Sequence, residues 1–306
     1  ARRTGRGACS PMPALTGSNT NLSPMRIDLH THSNRSDGTT SPADVVAQAS
    51  EAGLDVVALT DHDTTRGWDD AADAARRVGI DVVRGIEISC RHRGISIHLL
   101  AYLPAPEGEL FDEMERARES RVTRAERMVE RLGRDVPITY EQVLAQAGPD
   151  ATIGRPHIAD ALVANGVVPD RSTAFEHLLS NSGPYHVGHY AIDPVRAVTL
   201  VRAAGGVPVM AHPFADVRGR VVGDAVIEEM IDAGLLGLEA HHRDHTPEQV
   251  RHARDLARTH DLLVTGSSDY HGDGKPNRLG ENTTEPDQYE RLVALATSDV
   301  GVVRGR

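Results

Sequence analysis

Nine side chains of the types that bind divalent metal ions stand just after short apolar runs of the sequence. They are six histidines and three carboxylates: His30, His32, Asp37, His62, Glu87, His98, His212, Asp269 and His271. The preceding runs, such as residues 25–29, 56–60 and 262–266, have the length and composition of buried strands. When polar residues recur at the carboxyl ends of successive strands, a barrel brings them together on one face. The pattern therefore predicts the chemistry of a metal-dependent hydrolase.

The donor types narrow the choice of metal. Imidazole and carboxylate groups without thiolates suit Mn, Fe or Zn, and they do not form a Cys-rich structural zinc site. A catalytic ion takes about three or four protein ligands, so the nine candidates predict two to three divalent ions, with Mn preferred over Fe or Zn. His30 and His32 are two positions apart on one strand, which points both imidazoles to the same side.

The segments between the candidates alternate between strand and helix. Ser41 and Pro42 begin a helix that runs to about residue 52, and a second helix covers about residues 69–78 before Gly79. This alternation predicts a parallel sheet with crossover helices. It resumes after Asp193, with helices ending near residues 204, 233 and 259, strands ending near residues 212, 240 and 267, and a last helix near residues 287–297.

Residues 104–189 interrupt the alternation and are predicted to form a helical insertion. Its helices are expected near residues 109–132, 141–147, 156–165 and 172–180. The first helix carries six arginines among acidic residues: Arg116, Arg118, Arg121, Arg124, Arg127 and Arg131. Two interpretations remain open. The arginines form a solvated face with i,i+4 ion pairs, or the insertion is a lid that lends positive charge to a phosphate pocket.

Composition limits the function classes. Residues 1–24 lack hydrophobic periodicity and a signal-peptide core, which predicts a disordered tail. No apolar run approaches the ~18 residues that a membrane helix needs, and two cysteines are too few for a disulfide framework, so a cytoplasmic protein is expected. A formal net charge of −11 argues against stable, nonspecific DNA binding.

The motifs that carry the candidate ligands resemble those of the PHP (polymerase and histidinol phosphatase) family. They are His30-Thr31-His32 with Ser36-Asp37-Gly38, Leu59-Thr60-Asp61-His62-Asp63, Gly85-Ile86-Glu87, Ala211-His212-Pro213 and Ser268-Asp269-Tyr270-His271-Gly272. The resemblance runs from Met25 to about Gly280. It implies an α/β fold, a distorted (β/α)7 barrel formed by residues 25–103 and 190–306, with residues 104–189 as the helical insertion.

Within this family the chain is most similar to phosphoesterases that remove the 3′-phosphate from nucleoside 3′,5′-bisphosphates, some of which also trim short RNA from the 5′ end. These relatives carry a helical insertion with a Gly-Arg-Pro-His motif, which is Gly154-Arg155-Pro156-His157 here. The resemblance implies a small phosphorylated nucleotide or short RNA as the partner. It implies Arg155 and His157 as substrate-binding candidates, because the arginine fork fits phosphate oxygens. His241 and His242 follow the sixth strand, so they are candidates to line the pocket and bind substrate, or they are ordinary loop residues.

The resemblance also divides the ligands among three ions. One ion would take His30, His32, Glu87 and Asp269; the second would take Glu87, His98 and His212; the third would take Asp37, His62 and His271. The expected nucleophile is hydroxide from water whose pKa the metals lower toward about 7, so no catalytic side chain is predicted. Asp61 and Asp63 are expected to orient imidazoles, or to serve as turn or cap residues.

Three alternatives have different consequences. Amidohydrolases with a related His-x-His motif often bridge two metals with a carboxylated lysine, but the only lysine here, Lys275, lies in a polar loop. Histidinol-phosphate phosphatase would use the same metal site on the same barrel. A non-catalytic PHP binding module would be expected to have lost ligands, whereas all nine are present.

Overall fold

Seven strands, each paired with the next along the chain, form a nearly closed barrel. They are β1 Ile27–Thr31, β2 Val56–Leu59, β3 Asp81–His92, β4 Ile95–Tyr102, β5 Val207–Met210, β6 Gly237–His241 and β7 Leu263–Gly266. The first strand meets the chain after the last one where Thr31 bridges Tyr270 and the His32 amide donates to the Tyr270 carbonyl at 2.8 Å. The predicted seven-stranded α/β barrel is confirmed.

The computed structural model describes residues 25–147, 151–180 and 182–305, so the predicted disordered tail lies outside the described residues. The described part contains ten α-helices: α1 Pro42–Glu51, α2 Trp68–Val78, α3 Glu109–Leu132, α4 Tyr140–Leu144, α5 Arg155–Ala164, α6 Arg171–His177, α7 Pro194–Ala203, α8 Asp224–Asp232, α9 Pro247–Thr259 and α10 Pro286–Leu295. In this part, no helix combines the length and the apolar character that crossing a membrane requires.

Local sequence explains where these helices begin and end. The Ser41 side chain accepts from the Asp44 amide and a proline follows it, which fixes the start of α1. A reciprocal pair of hydrogen bonds between Thr246 and Gln249 begins α9 in the same way. Gly79 ends α2 in the left-handed conformation, at φ 78°, which costs glycine little.

The strand pair β3 and β4 departs from the predicted parallel pattern. The two strands form an antiparallel hairpin, and β4 is also antiparallel to β5. Arg93 at φ 46° and Gly94 at φ 82° make the tight turn, so no crossover helix is needed. Glu87 and His98 therefore lie inside strands, and the expectation that they follow strand ends was wrong. The hairpin pairs His98 with Ser89 and so returns it toward Glu87.

The insertion between β4 and α7 has a hydrophobic core of its own. Met128 and Leu132 of α3 pack there with Val143, Ile158 and Leu162. Polar contacts attach the insertion to the ligand-bearing end of the barrel: Arg121 pairs with Asp63 at 3.0 Å, and the Thr152 amide donates to the Arg35 carbonyl at 3.0 Å. The helical insertion thus packs beside the residues that the sequence identified as ligands.

Candidate metal centre

The structure brings all nine sequence-predicted ligands together at one end of the barrel. Donor atoms within 4.8 Å of one another form three overlapping groups, which are His32, Asp37, His62 and His271; His30, His32, Glu87 and Asp269; and His62, Glu87 and His98. The ninth residue, His212, joins them because its Nε2 lies 3.1 Å from Glu87 Oε1. A continuous cluster of this size could hold more than one ion.

Glu87 stands at the middle of the cluster and is 1% exposed. Its Oε2 lies 3.2 Å from His30 Nε2, 3.0 Å from His32 Nε2 and 3.3 Å from His62 Nδ1. Its Oε1 lies 2.7 Å from His98 Nδ1 and 3.1 Å from His212 Nε2. The two oxygens thus face different sets of imidazoles, so Glu87 could help to hold more than one cation.

The hydrogen bonding of the cluster tests whether its residues fit metal ions. His62 Nδ1, His98 Nδ1 and His271 Nε2 are buried and lack a hydrogen bond of acceptable geometry. In addition, His30 Nε2 and His32 Nε2 face each other at 3.0 Å, although at most one of them can donate to the other. Buried polar atoms without partners are costly. Divalent cations between these nitrogens and the carboxylates would satisfy them, so the residues fit the expected ions.

Metal binding requires ionised carboxylates and neutral imidazoles, and the local electrostatics favours these states for most of the cluster. Burial opposes ionisation of Glu87, but the surrounding histidines hold its pKa well below the usual range. Burial and the nearby Arg218 lower the pKa of His212 to about 3, and burial and Lys275 lower that of His271 to about 4. Burial also disfavours protonation of His32, but hydrogen bonds to Asp269 and Glu87 outweigh it and raise its pKa to about 9.

Asp269 divides its two oxygens between the cluster and two cations. Oδ1 lies 3.4 Å from His32 Nε2, whereas Oδ2 accepts from Arg218 Nη2 at 2.6 Å and from Lys275 Nζ at 3.0 Å.

Asp269 at φ 52° and His212 at φ 30° occupy the left-handed region, which is uncommon for residues other than glycine. The surrounding contacts therefore hold strained backbone at two candidate ligands.

Glu239 of β6 is a functional residue that the sequence reasoning missed. Its Oε1 accepts from His30 Nδ1 at 2.9 Å and from the Ser267 hydroxyl, and its Oε2 accepts from the His212 amide at 2.7 Å. A carboxylate in this position leaves the opposite His30 nitrogen, Nε2, free to face the cluster. The sequence did contain a signal for this role, which is an acidic residue inside an apolar strand. A glutamate is rarely fully buried without a partner, so Glu239 was expected to have one.

Asp28 of β1 was also missed, and it positions the loop that carries two candidate ligands. Its Oδ1 accepts from the Ser268 amide at 3.0 Å, and its Oδ2 accepts from the Gly280 amide at 2.8 Å. Burial raises the pKa of this carboxyl to about 6 against the effect of these hydrogen bonds. The loop with Asp269 and His271 is thereby held to β1, the strand of His30.

Within the described residues, Asp61 and Asp63 have serine, backbone and arginine partners and are not directly bonded to an imidazole. Asp61 accepts from the Ser33 amide at 2.8 Å and from the Ser36 hydroxyl at 2.6 Å. It reaches His32 only through Ser36, whose Oγ lies 3.4 Å from His32 Nδ1. Asp63 instead accepts from the Ser89 amide at 2.8 Å and pairs with Arg121 of the insertion.

Two cavities open on the cluster, and both are lined by His98, Arg155 and Arg218. One, here called the insertion lobe, has a volume of about 570 Å³ and runs from Asp37 and His62 to the arginines of the insertion. The other, here called the hairpin lobe, has a volume of about 500 Å³ and lies between the β3–β4 turn and the loop after β5. The two lobes thus form one bent cavity over the candidate ligands.

The three sequence-predicted substrate-binding residues have different positions. Arg155 lines both lobes, as a substrate contact requires. His157 is 2% exposed, and its Nδ1 accepts from the Gly154 amide at 3.1 Å. His242 is 3% exposed; its Nδ1 accepts from the Asp244 amide at 3.0 Å, and its Nε2 lies 3.3 Å from Arg218 Nη2 and 3.6 Å from Asp269 Oδ2. Neither histidine lines a lobe, which argues against direct substrate contact for both.

Comparison with known proteins agrees with this site. The PHP domain family matches residues 28–161. A 3′,5′-nucleoside bisphosphate phosphatase from Chromobacterium violaceum is 32% identical over 254 residues, which cover 82% of this chain and 89% of that protein. A 5′-3′ exoribonuclease from Haemophilus influenzae is 32% identical over 264 residues, covering 84% of this chain and 94% of that protein.

A solved structure from Bifidobacterium adolescentis, assigned as a metal-dependent phosphoesterase, superposes with a TM-score of 0.87 and 42% identity over 90% of this chain and 99% of that one. A barrel of this kind with a His, Asp and Glu cluster at one end defines a metal-dependent phosphoesterase. The chain belongs to the PHP family.

Removing metal is the first test of the site. We expect purified protein to contain Mn, Fe or Zn and to lose phosphoesterase activity on treatment with a chelator. His30→Ala and Asp269→Ala should each lower the rate by orders of magnitude while circular dichroism stays unchanged, because a barrel core does not depend on residues at its loop face. Full activity of a preparation that elemental analysis shows to be metal-free would contradict this prediction.

Glu239→Gln tests how the cluster is oriented. The glutamine keeps the size of the side chain but removes the charge and one of the acceptors that hold His30 and His212. We expect metal affinity to fall by ~10–100-fold, measured by equilibrium metal titration of chelator-treated protein. Glu229→Gln on the exposed face of α8 is the matched control. Equal metal affinity of the two variants would show that Glu239 does not support the site.

Proposed function

We propose that the nine clustered residues hold two to three divalent ions, with Mn preferred, and that the protein hydrolyses the 3′-phosphate of nucleoside 3′,5′-bisphosphates. The products are the nucleoside 5′-monophosphate and phosphate, and short RNA is trimmed from its 5′ end by the same bond cleavage. One observation carries the proposal. The insertion lobe is lined both by the candidate metal ligands Asp37, His62 and His98 and by Arg121, Arg124 and Arg155, which supports two anion sites in one cavity.

The arginine cluster consists of Arg91, Arg121, Arg124 and Arg155, grouped around His189. Burial and the neighbouring arginines lower the pKa of Arg124 to about 9 and that of Arg155 to about 10. Burial and the same four arginines lower the pKa of His189 to about 2, which keeps this imidazole neutral. The positive charges therefore destabilise one another in the absence of an anion.

Acidic residues compensate this cluster only in part. Arg121 pairs with Asp63. Arg124 Nε donates to the Val187 carbonyl at 2.9 Å, and Arg91 Nη1 donates to the His189 carbonyl at 3.0 Å; both acceptors are neutral. A phosphate monoester carries about the charge needed to offset two arginines, and guanidinium groups bind phosphate oxygens in a bidentate manner. The charge of the insertion lobe thus supports a second phosphate on the substrate, away from the reacting one.

In the proposed reaction the insertion holds one end of the substrate while the other end reacts. Divalent ions at the cluster supply Lewis acidity and lower the pKa of water near the reacting phosphorus. Arg155 and Arg124 bind the 5′-phosphate, and their binding energy places the 3′-phosphate beside the ligand residues. Asp63 and Ser89 fix the guanidinium of Arg121 from the barrel side, so this end of the lobe is positioned relative to the metal ligands.

Three alternative functions gain less support from the structure than the bisphosphate phosphatase proposal. Histidinol phosphate carries an ammonium group in place of the second phosphate, and buried arginines would repel it. Lys275 Nζ donates to Asp269 Oδ2 rather than lying between ligand groups, so it does not support the lysine-bridged amidohydrolase arrangement. A non-catalytic binding module gains no support from a cluster in which all nine candidate ligands meet.

Arg155→Ala tests the role of the arginine cluster. For 3′-phosphoadenosine 5′-phosphate we expect a higher KM and a loss of roughly 2–4 kcal/mol in kcat/KM. For p-nitrophenyl phosphate, which lacks a second phosphate, the loss should be much smaller. Arg127→Ala on the exposed side of α3 is the matched control. Equal losses on both substrates would place Arg155 at the reacting phosphate or in the structure of the insertion.

The identity of the product tests the orientation of the substrate. From 3′-phosphoadenosine 5′-phosphate we expect phosphate and AMP, separated by ion-exchange chromatography. Adenosine 3′-monophosphate should react markedly more slowly, because it lacks the 5′-phosphate that the arginines bind. Accumulation of adenosine 3′-monophosphate, or equal rates for the two substrates, would overturn the proposed orientation.

A further inference from the structure

The hairpin lobe has no role in the reaction described so far. A nucleoside 3′,5′-bisphosphate extends from the candidate metal ligands into the insertion lobe only. The hairpin lobe has a similar volume, about 500 Å³, and its walls include His98 and His212. It shares His98, Arg155 and Arg218 with the insertion lobe and therefore adjoins the candidate metal ligands, where a substituent on the reacting phosphate would lie.

Apolar side chains of the barrel and of the loop after β5 form part of its walls. Ile95 and Ile97 contribute one wall, Met210 and Val222 contribute another, and Val221 lies at the surface with 38% exposure. Ser96 and Ser182 add hydroxyl groups beside this apolar surface. Such a mixture suits a nucleoside, since a base offers flat apolar faces and polar edges.

Arg220 adds a positive charge to this lobe. Its Nη2 lies near the β3–β4 turn, 3.7 Å from where a Cβ atom on Gly94 would be. Across the described residues we find no carboxylate paired with Arg220, whereas Arg218, two positions earlier, pairs with Asp244 and Asp269. The guanidinium of Arg220 thus remains available to an anion that is separated from the metal ligands by the apolar walls.

We propose that the hairpin lobe binds the nucleoside joined through its O5′ to the reacting phosphate, and that Arg220 contacts the next phosphate of the chain. The inference rests on the proposed function, and it adds a site that selects oligonucleotides over mononucleotides. The lobe combines apolar side chains with cations, and it lies next to the candidate metal ligands, so it offers contacts for both a base and a phosphate. The formal net charge of −11 disfavours nonspecific binding of longer RNA.

The same bond breaks in both substrates. Water adds to phosphorus, the bond from phosphorus to O3′ of the terminal nucleoside breaks, and O3′ takes up a proton. A bisphosphate then releases inorganic phosphate. In an oligonucleotide, the bond from phosphorus to O5′ of the next nucleoside stays intact, so a 5′-monophosphate leaves and the shortened strand carries a new 5′-phosphate. That phosphate is the group which the arginines of the insertion lobe bind in the next cycle.

Arg220→Ala, Arg220→Lys and Val221→Asp test the hairpin lobe, each assayed with 5′-phosphorylated triadenylate and with 3′-phosphoadenosine 5′-phosphate. We expect Arg220→Ala to lower kcat/KM for the triadenylate about tenfold more than for the bisphosphate. Val221→Asp should act in the same direction because its charge repels the downstream phosphate, and Arg220→Lys should restore part of the loss. Arg254→Ala on the outer helix α9 is the matched control.

Binding gives a second measurement that does not depend on turnover. A 3′-labelled, 5′-phosphorylated triadenylate in excess chelator should bind the wild type more tightly than Arg220→Ala, and the difference should shrink as salt increases. Hydrolysis of the bisphosphate without hydrolysis or binding of the triadenylate would overturn the hairpin-lobe inference alone. Equal effects of Arg220→Ala on both substrates would also overturn it. If neither substrate is hydrolysed, the proposed function fails as well.

Discussion

The site depends on one buried carboxylate. Glu87 is almost fully excluded from water, yet it stays ionised because five imidazoles surround it. A buried charge of this kind is tolerated only when cations or hydrogen-bond donors compensate it. The imidazoles come from β1, β4 and the loops after β1, β2 and β5. The buried charge of Glu87 is therefore stable only because the strand arrangement brings these imidazoles around it. Divalent ions held by these residues would complete this compensation and would give partners to the imidazole nitrogens that lack them.

A surrounding layer of polar residues fixes the ligands. Glu239 holds His30 and the backbone of His212, Asp28 holds the loop of Asp269, and Asp61 reaches His32 through Ser36. Arg218 and Lys275 bind the outer oxygen of Asp269 and leave the other oxygen for the cluster. Because these contacts come from β1, β6 and the loops after β1, β2, β5 and β7, the ligand geometry is set by the closed barrel as a whole.

Much of the fold and of the ligand cluster was predictable from sequence. The exceptions depend on contacts between residues that the sequence alone does not show. The barrel, the bounds of α3 and the nine candidate ligands followed from apolar runs, helix signals and motif resemblance. The hairpin of β3 and β4 did not, because apolar runs do not reveal strand direction. Glu239 and Arg218 were missed because their partners lie far along the chain, at His30 and Asp269. Substrate contact by His157 and His242 stays a prediction, and Nδ1 of each residue accepts from a local backbone amide.

The charge distribution explains how an acidic chain can select phosphorylated substrates. The formal net charge of −11 repels long polyanions near the surface, because screening limits this repulsion to a Debye length of about 8 Å. Inside the insertion lobe the local field is reversed by Arg121, Arg124 and Arg155. A ligand gains from this field only after it enters the cavity, where the low dielectric strengthens each contact. Under the proposed function, the arginines of the insertion rather than the surface charge would select short phosphorylated molecules.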